Sequence, residues 1–137
     1  MFNFIQCILN INLNIIKSYV FWNEHEQKQG VYSFEGQYNI FEFFDIAQKI
    51  GLLVVLRPGP YICGEHEYGG LPWWLLQNGT DMVVPRSSEQ NYMNAVRTWF
   101  SVLLPKVQKY LYQNGGPIIS VQVENEYGID ILGADKI

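Results

Sequence analysis

The sequence has few charged side chains and no run of basic residues. Only 16% of its 137 residues are Asp, Glu, Lys or Arg, and nine Lys plus Arg stand against thirteen Asp plus Glu, which gives a formal net charge of −4. Proteins that follow a nucleic-acid backbone carry a patch or stripe of Lys and Arg. The composition therefore argues against a nucleic-acid surface, and no nucleic-acid partner is expected.

Cysteine and histidine are also scarce. The two cysteines are Cys7 and Cys63, and the two histidines are His25 and His66. Zinc sites use pairs of these residues separated by only a few positions, and neither pair has such spacing. We therefore expect no metal site and no cofactor.

Long apolar runs are missing as well. The N-terminal segment 1–20 is apolar but contains Asn at positions 3, 10, 12 and 14, and no Lys or Arg precedes its apolar residues. A secretory signal begins with a basic region, and a membrane helix needs about 20 consecutive apolar residues. The segment is therefore a poor signal peptide, and no membrane span is expected. One glycosylation sequon, Asn78-Gly79-Thr80, matters only on the secretory route.

The apolar residues that are present form an alternating pattern of strands and helices. Residues 15–21, 52–56 and 118–123 are short apolar runs rich in β-branched residues, and LLVVL at 52–56 lacks the alternation of a half-exposed strand. Uninterrupted apolar strands are typical of parallel sheets. Because helical spacing fills the stretches between them, the sequence predicts an α/β domain of parallel βαβ units.

Several residues predict where the two helices begin and end. The first helix occupies about 36–50 and ends before Gly51, and the second occupies about 88–112. Ser87 with Gln90 three residues later is the pattern of a capping box, which predicts the start of the second helix. Pro105 is expected to kink or split this helix.

Carboxylates follow each predicted strand. They lie in WNEHE at 22–26, in CGEHEYGG at 63–70 and in VENEYG at 123–128. Ligands of parallel α/β sheets bind on the loops at the C-terminal ends of the strands, where these three segments should meet.

Glu126 is the strongest candidate for an acid catalyst. Glycoside hydrolysis commonly uses two carboxyl groups, one of which protonates the leaving oxygen. Glu126 ends an apolar strand, Glu124 lies two residues before it, and Asn125 and Tyr127 flank it. The competing interpretation of a Glu at a strand end is a structural ion pair or cap.

The segment after the second strand combines carboxylates with aromatic rings. Glu65 and Glu67 could accept hydrogen bonds from sugar hydroxyls, and neighbouring rings could stack on a pyranose. The alternative for at least one of Trp73 and Trp74 is a core position at the start of a short helix. Arg57 at the strand end is expected to form a salt bridge that fixes the loop.

Two further side chains have open interpretations. A hydrogen bond from His25 to the backbone is favoured over proton transfer. The hydroxyl of Tyr19, if buried, needs a partner, which could be a sugar hydroxyl or a core carboxylate.

These segments resemble glycoside hydrolase family 35, the β-galactosidases of lysosomal and plant type. GGPIISVQVENEY at 115–127 resembles the family signature over its full length, RPGPYICGEHEYGGLPWWL at 57–75 is similar to a second block, and SYVFWNEHE at 18–26 to a third. The resemblance extends from about residue 13 to residue 128. Residues 1–137 are therefore interpreted as one partial catalytic domain.

The resemblance implies a fold and an activity. The fold is a (β/α)₈ TIM barrel, of which this chain would supply about strands 2 to 4. The activity is release of terminal β-D-galactose from β-galactoside substrates with retained configuration. Localisation would be lysosomal or secreted, and the oligomeric state stays open.

The resemblance also assigns roles to individual residues. Glu126 is similar to the acid/base, and Asn125 is expected near the sugar 2-hydroxyl. Tyr19 and Glu65 match positions that contact galactose, with Gly64 and Cys63 in the adjoining loop. Family members usually have Ala at the position of Gly64, Trp at that of His66 and Pro at that of Gln27, which loosens the expectation for substrate preference.

The nucleophile of the family lies at a later strand, and a complete barrel needs roughly 250 residues. The nucleophile is therefore expected to be absent from this chain, which would be inactive alone. Two alternatives remain: a non-catalytic carbohydrate-binding fragment, and a glycosidase of the same fold with another β-glycoside specificity.

Overall fold

The computed structural model describes residues 14–77 and 83–128. Three strands, β1 (Ile15–Tyr19), β2 (Leu53–Gly59) and β3 (Ile118–Val123), form one parallel sheet in the order β1-β2-β3. The prediction of three adjacent parallel strands is therefore confirmed. Cys7, the sequon at Asn78 and most of the N-terminal segment lie outside the described residues.

The register brings the C-terminal ends of the strands to one edge. Tyr19 at the end of β1 is paired with Arg57 of β2, and Val123 at the end of β3 is paired with Gly59. The β2–β3 pairing shifts register twice, between Val54 and Val55 and between Leu56 and Gly59. β2 is longer than the apolar run that predicted it because Arg57 to Gly59 stay in the sheet.

Three α-helices accompany the sheet within the described ranges. They are α1 (Trp22–His25), α2 (Ile40–Lys49) and α3 (Gln90–Val107). Short 3₁₀ turns occupy Gly36–Tyr38, Glu67–Gly70, Trp73–Gln77, Gln108–Tyr110 and Tyr112–Asn114. Gly51 follows α2 with a φ of 76° and donates its N–H to the Gln48 carbonyl oxygen, so the predicted glycine cap is confirmed.

The predicted start of α3 is wrong by two residues. Glu89 is the N-cap, and its carboxylate accepts the backbone N–H groups of Asn91 and Tyr92 at 2.7 and 2.8 Å. The hydroxyl of Ser87 instead accepts the N–H of Glu89. Because a carboxylate can accept two orphan donors at once, Glu89 replaces the capping box.

Pro105 does not split α3. The helix continues through it to Val107, and the N–H of Gln108 still reaches the Leu104 carbonyl oxygen. Pro105 lies in the last turn, where the helix has few remaining residues to distort. The regular α-helix therefore ends at Val107 rather than near 112.

The core is built around Trp99 of α3, whose side chain is fully buried. Its ring lies 5.8 Å from that of Trp22 and 6.2 Å from that of Phe34, centroid to centroid, and its Nε1–H points to the carbonyl oxygen of Pro58 at 3.4 Å. One side chain thus packs the segment after β1 against the end of β2.

The sheet has exposed apolar side chains at both edge strands. Ile15 of β1 is 48% exposed, and β3 exposes Ile119, Val121 and Val123, the last at 58%. In contrast, Val54 and Leu56 of the central strand are fully buried. Unpaired strand edges with exposed apolar residues favour association with other chains.

Replacing Trp99 by Ala is expected to lower the free energy of unfolding by roughly 3–5 kcal/mol, the usual cost of removing a buried aromatic side chain. Trp73, which is 54% exposed, provides the matched control, and its replacement by Ala should cost less than about 1 kcal/mol. The measurement is the resistance of the folded chain to thermolysin, with a solubility-enhancing fusion partner. Equal loss of resistance in the two variants would contradict this account of the core.

Candidate active site

The segments after β2 and β3 are joined directly at the C-terminal edge of the sheet. The backbone N–H of Glu124 donates to the Gly59 carbonyl oxygen at 3.0 Å. In return, the N–H of Tyr61 donates to Oε1 of Glu124 at 3.2 Å. These two bonds hold the turn after β3 against the loop after β2.

Arg57 connects residues that follow from all three strands. Its side chain is buried, Nη2 donates to Oδ1 of Asn125, and the guanidinium lies 5.1 Å from the centroid of the Tyr19 ring. Within residues 14–77 and 83–128 Arg57 forms no ion pair, so the expected salt bridge is replaced by a bond to an amide. Tyr19 is 37% exposed, so its ring lies at the surface of this edge.

Phe21 links Tyr19 to the loop after β2. Its ring centroid lies 5.7 Å from that of Tyr19 and stacks on His66 at 4.2 Å. A Cβ atom on Gly64 would lie 3.1 Å from Cζ of Phe21, which is tighter than ordinary contact. The absence of a side chain at Gly64 therefore allows this loop to approach Phe21, a residue that sequence reasoning did not single out.

The backbone of these loops is strained. Six non-glycine residues in the described chain have φ between 51° and 64°, and all follow β2 or β3: Cys63, Glu65, Tyr68, Arg86, Glu124 and Glu126. Each such residue costs about 1–3 kcal/mol, and positions of this kind cluster at active sites and ligand clamps. The strained backbone angles therefore indicate that this edge of the sheet is functional. The residue types alone do not give this indication.

Glu124 is a structural carboxylate. Its Oε2 lies 3.2 Å from Nε of Arg86, and the two side chains are 15% and 14% exposed. Burial raises the pKa of Glu124, while the Asn125 N–H, the charge of Arg86 and the Tyr61 N–H act in the opposite direction. A structural ion pair, the competing interpretation for Glu126, is therefore found at its neighbour Glu124.

The candidate residues are brought to this edge by different means. Arg57 joins Tyr19 to Asn125, and Phe21 contacts both Tyr19 and the loop at Gly64. Glu65 and Glu126 reach the edge through chain position, each in an exposed turn with positive φ. Arg86 was missed by sequence reasoning, and no motif marked it.

Burial and hydrogen bonding distinguish between the alternative roles considered for Trp73, Trp74 and His25. Trp74 is buried and its Nε1–H donates to the Glu26 carbonyl oxygen at 2.9 Å, so it is a core residue, whereas Trp73 is exposed. His25 donates from Nδ1 to the Ser33 carbonyl oxygen at 2.9 Å, which confirms the expected backbone hydrogen bond. Burial lowers the pKa of His25, which opposes protonation of the ring, while the bond to Ser33 and the charge of Glu24 act in the other direction.

The described residues contain neither a cluster of metal ligands nor a membrane-spanning helix. No group of three or more His, Cys, Asp or Glu side chains there could hold a metal ion. No helix in the same residues has the length and apolar character needed to cross a membrane.

A parallel α/β sheet with carboxylates, an amide and aromatic rings at its C-terminal edge is an arrangement typical of α/β glycoside hydrolases. The family model for glycosyl hydrolases family 35 matches residues 3–136. The chain therefore belongs to glycosyl hydrolases family 35. The match extends beyond the range 13–128 expected from the motifs.

Curated relatives agree with this assignment. The chain is 55% identical over 116 residues to a β-galactosidase of Bos taurus and 56% identical over 116 residues to one of Mus musculus. It is also 53% identical to a β-galactosidase-1-like protein of Mus musculus. Each match covers 85% of this chain but only 18% of the relative, so the chain spans less than a fifth of the curated relatives it matches.

Proposed function

We propose that these residues form the acid/base half of the active site of a retaining β-galactosidase, built on about strands 2 to 4 of a (β/α)₈ barrel. Glu126 protonates the glycosidic oxygen as the leaving group departs. It then removes a proton from the water that releases galactose. The nucleophilic carboxylate comes from outside these 137 residues, and the whole protein acts in a lysosome or outside the cell.

The binding roles belong to the neighbours of Glu126. Asn125 donates its amide N–H to the sugar near the 2-hydroxyl, because its Oδ1 is occupied by Arg57. Tyr19 and Glu65 contact other hydroxyls of the ring, and Gly64 leaves room beside Phe21 for the loop that carries Glu65.

The observation that carries this proposal is the contact of Arg57 with both Tyr19 and Asn125. Tyr19 ends β1 and Asn125 follows β3, so their side chains are separated by one strand. One buried arginine spans that strand and brings an aromatic ring and an amide to the same edge. A pocket for a single sugar ring needs such residues from neighbouring strands.

The test is a chimera in which the matched 116 residues replace their counterpart in the mouse β-galactosidase, called the mouse chimera below. It should hydrolyse aryl β-galactosides and discriminate against the corresponding glucosides and N-acetylglucosaminides. Measurement of kcat/KM for the three substrates separates β-galactosidase activity from another β-glycoside specificity. Preference for either alternative sugar would contradict the proposed substrate.

Replacing Asn125 by Ala in the mouse chimera should lower kcat/KM for a galactoside by about 100-fold, because hydrogen bonds at the 2-hydroxyl strengthen in the transition state. With a 2-deoxygalactoside the same replacement should cost less than about 5-fold, since the bonding group is already missing. Asn91, exposed on α3, is the matched control for removing an amide side chain. Equal losses on both substrates would place Asn125 away from the 2-hydroxyl.

A further inference from the structure

Arg86 lies outside the proposed catalytic and binding residues, yet it contacts the turn that carries two of them. Its Nε lies 3.2 Å from Oε2 of Glu124, and its Nη2 donates to the backbone carbonyl oxygen of Asn125 at 2.5 Å. The arginine thus holds one side chain and one backbone oxygen of the turn after β3. A charge-assisted pair of this kind is stronger and more directional than a neutral hydrogen bond.

Aromatic rings enclose the Arg86 guanidinium. It lies 4.1 Å from the centroid of the Tyr61 ring and 5.7 Å from that of Tyr127. The hydroxyl of Tyr127 donates to the Arg86 carbonyl oxygen at 3.1 Å. Tyr61 belongs to the loop after β2 and Tyr127 directly follows Glu126, so the Arg86 guanidinium contacts both the loop and the turn.

The turn that Arg86 holds has an unfavourable backbone. Glu124 and Glu126 have φ of 64° and 51°, and Arg86 itself has a φ of 57°. Non-glycine residues keep such angles only where surrounding contacts fix them. The contacts of Arg86 with Glu124 and Asn125 are of this kind.

We propose that Arg86 is a positioning residue that fixes the Glu124–Glu126 turn and thereby aims the Glu126 carboxyl at the glycosidic oxygen. The inference rests on the proposed function of Glu126. Without Arg86, the half-buried Glu124 carboxylate loses the cation that it is paired with. The turn then relaxes toward ordinary backbone angles and Glu126 moves with it, whereas the Asn125 side chain keeps its hydrogen bond to Arg57.

Substrates with different leaving groups distinguish a positioning role of Arg86 from a role in the stability of the fold alone. A substrate with a poor leaving group, such as methoxyphenyl β-galactoside, needs a correctly placed acid to protonate the leaving oxygen. Dinitrophenyl β-galactoside does not, because the dinitrophenolate ion is stable enough to leave without protonation. A destabilised enzyme loses active molecules, which lowers kcat/KM equally on both substrates. The ratio of the two kcat/KM values does not depend on how much enzyme is folded.

In the mouse chimera, Arg86→Met should lower kcat/KM on the poor leaving group by roughly 100-fold, within the usual contribution of general acid catalysis. On the activated substrate the loss should stay below about 5-fold, so the ratio changes at least 20-fold toward the pattern of a Glu126→Gln variant. Arg86→Lys, which keeps the charge but not the planar fork, should restore part of the ratio.

Two further variants complete the experiment. Glu124→Gln weakens the same pair without removing side-chain volume and should shift the ratio in the same direction if Arg86→Met folds poorly. Arg97→Met removes an exposed arginine of α3 that contacts Asn94, and it should leave the ratio unchanged.

The outcomes distinguish the two proposals. Equal losses on both substrates in Arg86→Met and Glu124→Gln would overturn the positioning role while leaving the proposed function intact. A mouse chimera that hydrolyses neither substrate would overturn the proposed function and, with it, the role of Arg86.

Discussion

The mouse chimera carrying Glu126→Gln is expected to lose about 10²- to 10⁴-fold of its kcat/KM on substrates with poor leaving groups, the contribution usual for a general acid. Gln has nearly the same size as Glu but cannot donate a proton to the leaving oxygen. On dinitrophenyl β-galactoside the first chemical step should change little. The second step, in which water releases galactose, should become slow because the base is missing.

Azide provides the diagnostic for this assignment. An azide ion attacks the glycosyl intermediate without needing a base, so it should raise the turnover of Glu126→Gln on the activated substrate and produce β-galactosyl azide. Glu42, an exposed glutamate of α2, is the matched control, and Glu42→Gln should show neither the loss nor the azide effect. If azide leaves Glu126→Gln unchanged, Glu126 is not the acid/base.

The strands and their parallel order could be predicted because each is a short apolar run separated from the next by a helix. β3 has the predicted bounds, and β1 and β2 differ from their predictions only at the ends. The ends were missed for a physical reason: Arg57 continues β2 in the sheet, where its side chain is buried against Asn125. Sequence patterns place a charged residue outside a buried strand, because the hydrogen-bond partner that allows its burial is not visible in the sequence.

The helix ends were less predictable because caps compete locally. Ser87 has the right residue type for an N-cap, but Glu89 accepts two backbone N–H groups and determines the start of α3. Ser87 then serves the N–H of Glu89. The outcome depends on the direction from which the chain enters the helix, which the sequence pattern does not specify.

The motifs indicated which loops to consider, but not what holds them together. Glu124 and Arg86 are 38 residues apart in sequence, and Arg57 and Asn125 are 68 residues apart. Both contacts depend on the parallel arrangement that brings the ends of β2 and β3 to one edge. The positive φ angles of Glu65, Glu124 and Glu126 are likewise consequences of tertiary contacts and have no signal in residue type.

The 137-residue chain expressed alone is expected to show no hydrolysis of β-galactosides. A retaining mechanism needs a second carboxylate about 5 Å from the first. Glu124 is held by Arg86, and Glu24 lies 3.5 Å from Nε2 of His66. We propose Glu65 as a sugar-binding residue, so none of these three is proposed as a nucleophile.

The same chain is also expected to aggregate. Both edge strands of its sheet expose apolar side chains, among them Ile15, Ile119 and Val123, and nothing in the described residues covers them. The test is to purify residues 1–137 and the Glu126→Gln variant, and to assay both with a chromogenic β-galactoside beside the mouse chimera. Turnover above buffer that disappears in Glu126→Gln would contradict the prediction, because it would require a second carboxylate within this chain to trap the sugar. Aggregation without turnover, beside an active chimera, is the expected outcome.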